Sequence, residues 1–157
     1  MKHGFWIALA VVLVFMVGQL SWLRPSRREI FLMKLRAEAR RLGLSARLLA
    51  PPDWYRGERP AGGLLACYSL LTPENSPDMP YFRIERLSGG EDAGMWVWRA
   101  GDRAVLESLD FPPEAAALLS LEARANAVSA WWTEGLGPEA LPALLTLMQT
   151  LRERLQG

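Results

Sequence analysis

Residues 112–135 read PPEAAALLSLEARANAVSAWWTEG, and two different structures are compatible with them. The many Ala and Leu residues suit a single helix. However, the stretch also divides at Ala125-Asn126 into two runs of alternating side chains, residues 119–124 and 127–133. Asn tolerates the left-handed backbone of a tight turn, and β-branched and aromatic residues collect in the second run. We therefore favour a β-hairpin, with the single helix as the alternative.

In a hairpin, alternate side chains of each arm share one face of the sheet. The expected core-facing residues are Leu119, Leu121, Ala123, Val128, Ala130 and Trp132. Trp131 must then point to the opposite side from Trp132, so one of the two tryptophans is expected to be available to a partner or to lipid.

Four further strands are predicted before the hairpin, because short apolar runs alternate with loops rich in Pro and Gly. Their ranges are 44–49, 64–72, 81–87 and 95–100. The second is apolar throughout, as in a central strand. The fourth places Trp96 and Trp98 on one face, where we expect them to belong to the core.

Two amphipathic helices enclose these strands in the sequence. Ser26 and Glu29 form an S-x-x-E capping box at the start of the first helix, which Gly43 ends. The second follows Gly137-Pro138, keeps leucines at helical spacing, and carries Pro142 in its first turn. The predicted domain, residues 44–157, is therefore a small antiparallel α+β domain closed by a C-terminal helix.

An apolar segment at residues 5–23 precedes this domain, and as a helix it would be roughly 28 Å long, about the thickness of a hydrocarbon core. Trp6 and Trp22 lie near its ends, as indole rings do at membrane interfaces. Small residues at the spacing that signal peptidase requires are missing, so we predict a retained transmembrane helix within residues 1–23 rather than a cleaved signal.

Charge predicts the orientation. Residues 1–43 contain eight Lys/Arg and two Asp/Glu, whereas residues 44–157 contain ten and fifteen. Only Lys2 precedes the span, and seven Lys/Arg follow it closely, so the N-terminus is expected outside and the domain in the cytoplasm of a bacterial inner membrane. The basic juxtamembrane helix, residues 24–43, is expected to face lipid headgroups through Arg24, Arg27, Arg28, Arg40 and Arg41. The alternative is that its apolar stripe packs on the domain while the arginines are solvated, and both hold if the helix bridges domain and membrane. The acidic body argues against nucleic acid as a partner.

Residues suited to catalysis are few. Cys67 is the only cysteine and His3 the only histidine, and the predicted bilayer would separate His3 from the domain. We find no catalytic, metal-binding or cofactor motif, and Glu91-Asp92 suits a solvated loop. A non-enzymatic binding domain is therefore expected. A membrane-associated enzyme using carboxylates among Glu85, Glu91, Asp92 and Glu122, or a sensor of anionic lipid surfaces, is the alternative.

Trp54, Tyr55 and Arg56 lie in a Pro/Gly loop and are the predicted partner-binding residues, since aromatic and Arg side chains dominate interfaces. The alternative is that the loop folds back and Trp54 caps the core.

The junction Arg24-Pro25, directly after the span and before a basic helix, resembles the small YajC-type auxiliary subunit of the bacterial preprotein translocase over residues 5–36. The resemblance implies an inner-membrane protein with a cytoplasmic domain, accessory to a larger membrane protein complex.

Overall fold

The computed structural model describes residues 2–21, 25–57, 62–74 and 76–157. The chain divides into two compact units, residues 1–33 and 34–157. Each unit is described by itself.

The first unit contains helix α1, Lys2–Ser21, and the beginning of helix α2, Arg27–Arg41. The predicted capping box at the start of α2 is confirmed, because the Glu29 amide donates to Ser26 Oγ at 3.2 Å and the Ser26 amide donates to the Glu29 carboxylate. Among the described residues, no helix has both the length and the apolar character needed to cross a membrane. The predicted membrane span is therefore not confirmed.

The second unit is built on one six-stranded antiparallel sheet, which confirms the predicted α+β class. Its strands are β1 (Leu44–Leu49), β2 (Leu65–Leu71), β3 (Met79–Arg86), β4 (Trp96–Ala100), β5 (Leu118–Ala125) and β6 (Ala127–Trp132). Their order across the sheet is β1-β2-β6-β5-β3-β4. The β5–β6 pair is the predicted hairpin, so the single-helix alternative is wrong.

One face of the sheet, the inner face, forms the core. Its side chains from Phe82, Ile84, Leu121, Val128 and Trp132 are almost fully buried. The C-terminal helix α4, Leu141–Gln156, packs on β2, β3 and β6. Of the residues that its sequence spacing marked as apolar, Leu141, Leu144, Met148 and Leu151 are buried, whereas Leu145 and Leu155 are half-buried. The C-terminal part of α2 adds two more residues to the core, the fully buried Leu35 and Ala39.

Two details of the hairpin differ from the prediction. The left-handed turn residue is Ala125, with φ of 51°, and not Asn126. The register also shifts between Leu118 and Ser120, so Leu119 leaves the inner face and packs beside Trp131 on the other side. A bulge of this kind inserts one residue and inverts the alternation before it.

The tryptophans also differ from expectation. Trp131 and Trp132 point to opposite faces, yet both are buried, with 8% and 1% of their surface exposed. Trp98, expected in the core, is 41% exposed. Trp96 is half-buried, and its ring stacks on Phe111 with the ring centroids 4.7 Å apart.

The segment between β4 and β5 contains structure that periodicity did not reveal. It forms a short helix α3, Arg103–Glu107, and a 3₁₀ turn, Pro113–Ala117. Asp102 caps α3, since its side chain accepts from the Ala104 amide at 2.9 Å. A helix of five residues is too short to show a hydrophobic stripe, so periodicity in the sequence did not predict α3.

Candidate functional site

A groove of about 470 Å³ lies on the outer face of the sheet, the side to which Ser69, Ser129 and Trp131 point. It crosses β1, β2, β6 and β5. The strand register places Ser45 beside Ser69, Ser69 beside Ser129, and Ser129 beside Glu122, so one row of polar side chains runs across four strands. Alternation explains the row, because the residues next to each member point inward to the core.

The floor of the groove is a short hydrogen-bonded chain. Ser69 Oγ lies 2.8 Å from Ser129 Oγ, and Cys67 Sγ lies 3.8 Å from Ser69 Oγ. Burial raises the pKa of the Cys67 thiol. Since the thiolate is the nucleophile, a buried neutral thiol is poorly suited to covalent catalysis.

Two arginines give the groove an excess of positive charge. Arg47 and Arg124 both line it, both are exposed, and neither forms an ion pair with another described residue. Among the described residues that line it, Glu122 is the only acidic one. Given the usual strand spacing and rise, the Cα atoms of the two arginines are roughly 20 Å apart, at opposite corners of the groove.

Trp131 borders the groove and carries a buried donor. Its Nε1 has no hydrogen-bond partner within the described part of the chain, and the same holds for Trp132 Nε1 in the core. A buried donor without a partner costs about 1–3 kcal/mol.

The predicted partner-binding residues lie beside the groove, on the same face. Trp54 and Tyr55 are half-buried against the cluster formed by Leu65, Cys67 and Trp131. The Trp54 ring meets the Trp131 ring edge-on, with centroids 6.2 Å apart.

Two arginines flank this aromatic contact. The guanidinium of Arg83 lies 5.8 Å from the Trp54 ring centroid, within cation–π range. Arg56 is exposed and donates to the carbonyl oxygen of Asp53. This arrangement matches the alternative in which the loop folds back over the sheet, and the role of Trp54, Tyr55 and Arg56 in binding a partner stays a prediction.

A buried polar network joins α2 to the sheet on the inner side. Glu134, which follows β6 directly, is only 6% exposed. Its carboxylate accepts hydrogen bonds from Arg36 Nε at 2.8 Å, from Arg36 Nη2, and from the Tyr68 hydroxyl at 2.7 Å. The hydrogen bond to Glu134 raises the pKa of Arg36, and burial together with Glu134 raises the pKa of Tyr68.

Sequence reasoning missed this network. Arg36 and Glu134 are 98 residues apart, and Tyr68 is 66 residues from Glu134. The only local indication was Glu134 itself. An acidic residue close to a strand of buried aromatic residues needs a partner, because burying an unpaired carboxylate costs free energy.

Of the arginines predicted to face lipid headgroups, three have no ion pair with another described residue. Arg27, Arg28 and Arg40 are exposed, while Arg41 is exposed but binds the Glu38 carboxylate with two of its nitrogens. Arg24 lies outside the described residues.

The four carboxylates of the enzyme alternative do not form an evident acid–base pair. Glu85 lies between Arg99 Nε, at 2.9 Å, and Arg83 Nε, at 3.2 Å. The second contact is a charge interaction without the alignment of a hydrogen bond. Glu91 and Asp92 are exposed in a turn, and Glu122 lines the groove. Within the described ranges, no three His, Cys, Asp or Glu side chains cluster as a metal site would require.

Comparisons of the chain with known protein families, with curated proteins and with solved structures find no match.

Proposed function

We propose that the chain is a single-pass inner-membrane protein whose cytoplasmic domain is a non-enzymatic binding module, serving as an accessory subunit or adaptor of a membrane protein complex. The observation that carries the proposal is the outer-face groove, which combines two exposed arginines, without ion pairs among the described residues, with a row of serine hydroxyls. Guanidinium groups and hydroxyls can bind an anionic or polar ligand.

The composition of helix α1 supports membrane anchorage. Its described side chains from Phe5 to Met16 are all apolar and all exposed. A helix of a water-soluble domain shows a polar face, and these side chains provide none. The seven Lys/Arg that follow the segment, against Lys2 before it, support a cytoplasmic location for the domain.

The chemistry of the groove supports binding rather than catalysis. The Cys67 thiol on the groove floor is buried and has a raised pKa, and outside the groove Glu85 is engaged by two arginines. Tethering the module to a membrane would confine it to the neighbourhood of membrane partners and raise its effective concentration there.

A lipid-surface sensor is a second candidate, favoured by the exposed side chains of Arg27, Arg28 and Arg40. Each cation near an anionic surface contributes about 1 kcal/mol, so three would give measurable attraction. This role is compatible with the adaptor function, because Arg27, Arg28 and Arg40 do not line the groove.

Two experiments test the proposal. For topology, we expect a C-terminal green fluorescent protein fusion to fluoresce and a C-terminal alkaline phosphatase fusion to be inactive. For binding, a benzoylphenylalanine crosslinker at Leu71, which is exposed and lines the groove, should capture a membrane protein in cells. The matched control is the same crosslinker at Glu107, an exposed position on α3. An active phosphatase, or equal capture from both positions, would contradict the proposal.

A further inference from the structure

The two edges of the sheet differ in regularity. The edge strand β4 pairs with β3 across a register shift between Arg83 and Ile84. The other edge strand, β1, pairs with β2 over all six of its residues without a shift. Irregular edges discourage further pairing, whereas a regular edge presents a row of unpaired backbone donors and acceptors. Among the described residues, no strand pairs with the outer side of β1.

The side chains along β1 differ between its two faces. On the outer face it carries Ser45, the exposed Arg47, which has no ion pair with a described residue, and at its end Leu49, which is 39% exposed. On the inner face it carries Ala46 and Leu48, and Leu48 is 43% exposed although it is a large apolar residue. A strand added beside β1 would thus meet a cation on one side and an exposed leucine on the other.

We propose that β1 binds an extended segment of a partner protein in which acidic and apolar residues alternate, added to the sheet as a seventh strand. This inference rests on the proposed binding function and names the class of partner. Because side chains alternate between faces, the acidic residues of such a segment would lie beside Arg47 and the apolar ones beside Leu48. Backbone hydrogen bonds supply the affinity in this mode of recognition, and the side chains supply the specificity.

The length of the strand limits the segment. Six residues extend about 20 Å, and the prolines at positions 51 and 52 follow the end of β1 almost directly. Proline has no N–H to donate to a neighbouring strand, so pairing should not continue past this point. A peptide of about eight residues is therefore long enough to occupy the whole edge.

The test uses the full-length protein in mild detergent and fluorescein-labelled eight-residue peptides, measured by fluorescence anisotropy. The first peptide alternates Glu and Val, the second alternates Lys and Val, and the third has four Glu followed by four Val. We expect saturable binding of the first peptide and at least about fivefold weaker binding of the other two, because only the first matches both charge and alternation.

Two charge-reversal variants locate the peptide. Arg47→Glu should lower the affinity for the Glu-Val peptide by about fivefold or more and raise the affinity for the Lys-Val peptide. Arg124→Glu, at the far corner of the same groove, should have the smaller effect of the two. The matched control is Arg103→Glu, an exposed position on α3 outside the groove, which should change the affinity by less than about twofold. Near-UV circular dichroism of each variant must match that of the unmodified protein.

Each other outcome overturns the proposal. Equal loss of affinity in Arg47→Glu and Arg124→Glu would place the peptide across the groove instead of along β1. Equal binding of the alternating and block peptides would show attraction by charge alone. A dimer of the full-length protein that Arg47→Glu dissociates would make a second copy of the chain the occupant of this edge. If no peptide binds but the crosslinker at Leu71 still captures a membrane protein, pairing with β1 is wrong and the proposed binding function is unaffected.

Discussion

Replacing Glu134 by alanine tests how strongly the buried network stabilises the domain. Arg36 and Tyr68 both bind this carboxylate, and the two side chains also interact with each other. The variant therefore leaves a half-buried cation and a buried hydroxyl without their partner. Since α2 and β2 are joined through these bonds, the whole unit of residues 34–157 should lose stability.

The magnitude follows from burial. Removing one partner of a fully buried ion pair costs about 3–5 kcal/mol. The Arg36 side chain is 25% exposed and can recover some hydration, so we discount this cost to about 2 kcal/mol. An unsatisfied Tyr68 hydroxyl adds about 1 kcal/mol. We expect Glu134→Ala to lower the free energy of unfolding by about 3 kcal/mol, which lowers Tm by roughly 10 °C for a domain of this size.

The backbone at Glu134 allows a sharper comparison. Its φ is 53°, a left-handed conformation that costs a residue with a Cβ about 1–2 kcal/mol. Glu134→Gly removes the same carboxylate but relieves this strain, and part of the gain is lost to the greater freedom of glycine in the unfolded chain. The glycine variant should therefore be more stable than the alanine variant by about 0.5–1 kcal/mol.

The assay is thermal unfolding of the full-length protein in mild detergent, followed by near-UV circular dichroism. The control is Glu107→Ala, which breaks an exposed ion pair with Arg103 and should cost less than about 0.5 kcal/mol. The reasoning is refuted if Glu134→Ala is no more destabilising than this control, or if the glycine variant is the less stable of the two.

Three further predictions concern single side chains. Burial raises the pKa of Tyr68, so the folded state keeps a proton that the unfolded chain loses above about pH 10. The neutral phenol therefore stabilises the fold fully below about pH 10, and this stabilisation is lost as the pH rises further. In Tyr68→Phe, Tm should fall less between about pH 9.5 and 11 than it does in the unmodified protein. A Tm that falls equally in both would show that Tyr68 ionises as readily folded as unfolded. Iodoacetamide at pH 8 should alkylate Cys67 at least about tenfold more slowly in the folded protein than in urea, because burial hinders access and raises the pKa of the thiol. Mass spectrometry measures both rates, and equal rates would mean that the groove floor is open. Trp54→Ala should lower the free energy of unfolding by about 2 kcal/mol, since the ring packs on Trp131, whereas Trp98→Ala should cost less. An unchanged Tm for Trp54→Ala, with loss of a co-purifying partner, would instead make Trp54 an interface residue.

Local pattern was sufficient for most of the fold. The alternation in β5 and β6 predicted the hairpin, Ser26 and Glu29 predicted the capping box, and leucine spacing predicted α4. These features involve residues close together in the chain, so their physical causes can be read from a short window.

The groove could be predicted only in part. The polar residues on β1, β2 and β6 were visible, but their alignment into one row depends on strand order and register, which connect Ser45, Ser69 and Ser129 across the sheet. The single-residue bulge near Leu118 likewise inverted the predicted side of Leu119. A shift of one residue exchanges the two faces of a strand, and nothing in the local sequence marked this one.

The one-dimensional pattern was thus enough to identify an antiparallel α+β domain, the boundaries of most strands, and the contrast between a basic front and an acidic body. The folded arrangement determined that Glu134 binds Arg36 and Tyr68, that Trp54 covers Trp131, and that Arg47 stands at an open edge. The physical reason is distance along the chain. Periodicity and capping act over a few residues, whereas a buried charge finds its partner wherever folding brings one within hydrogen-bond reach.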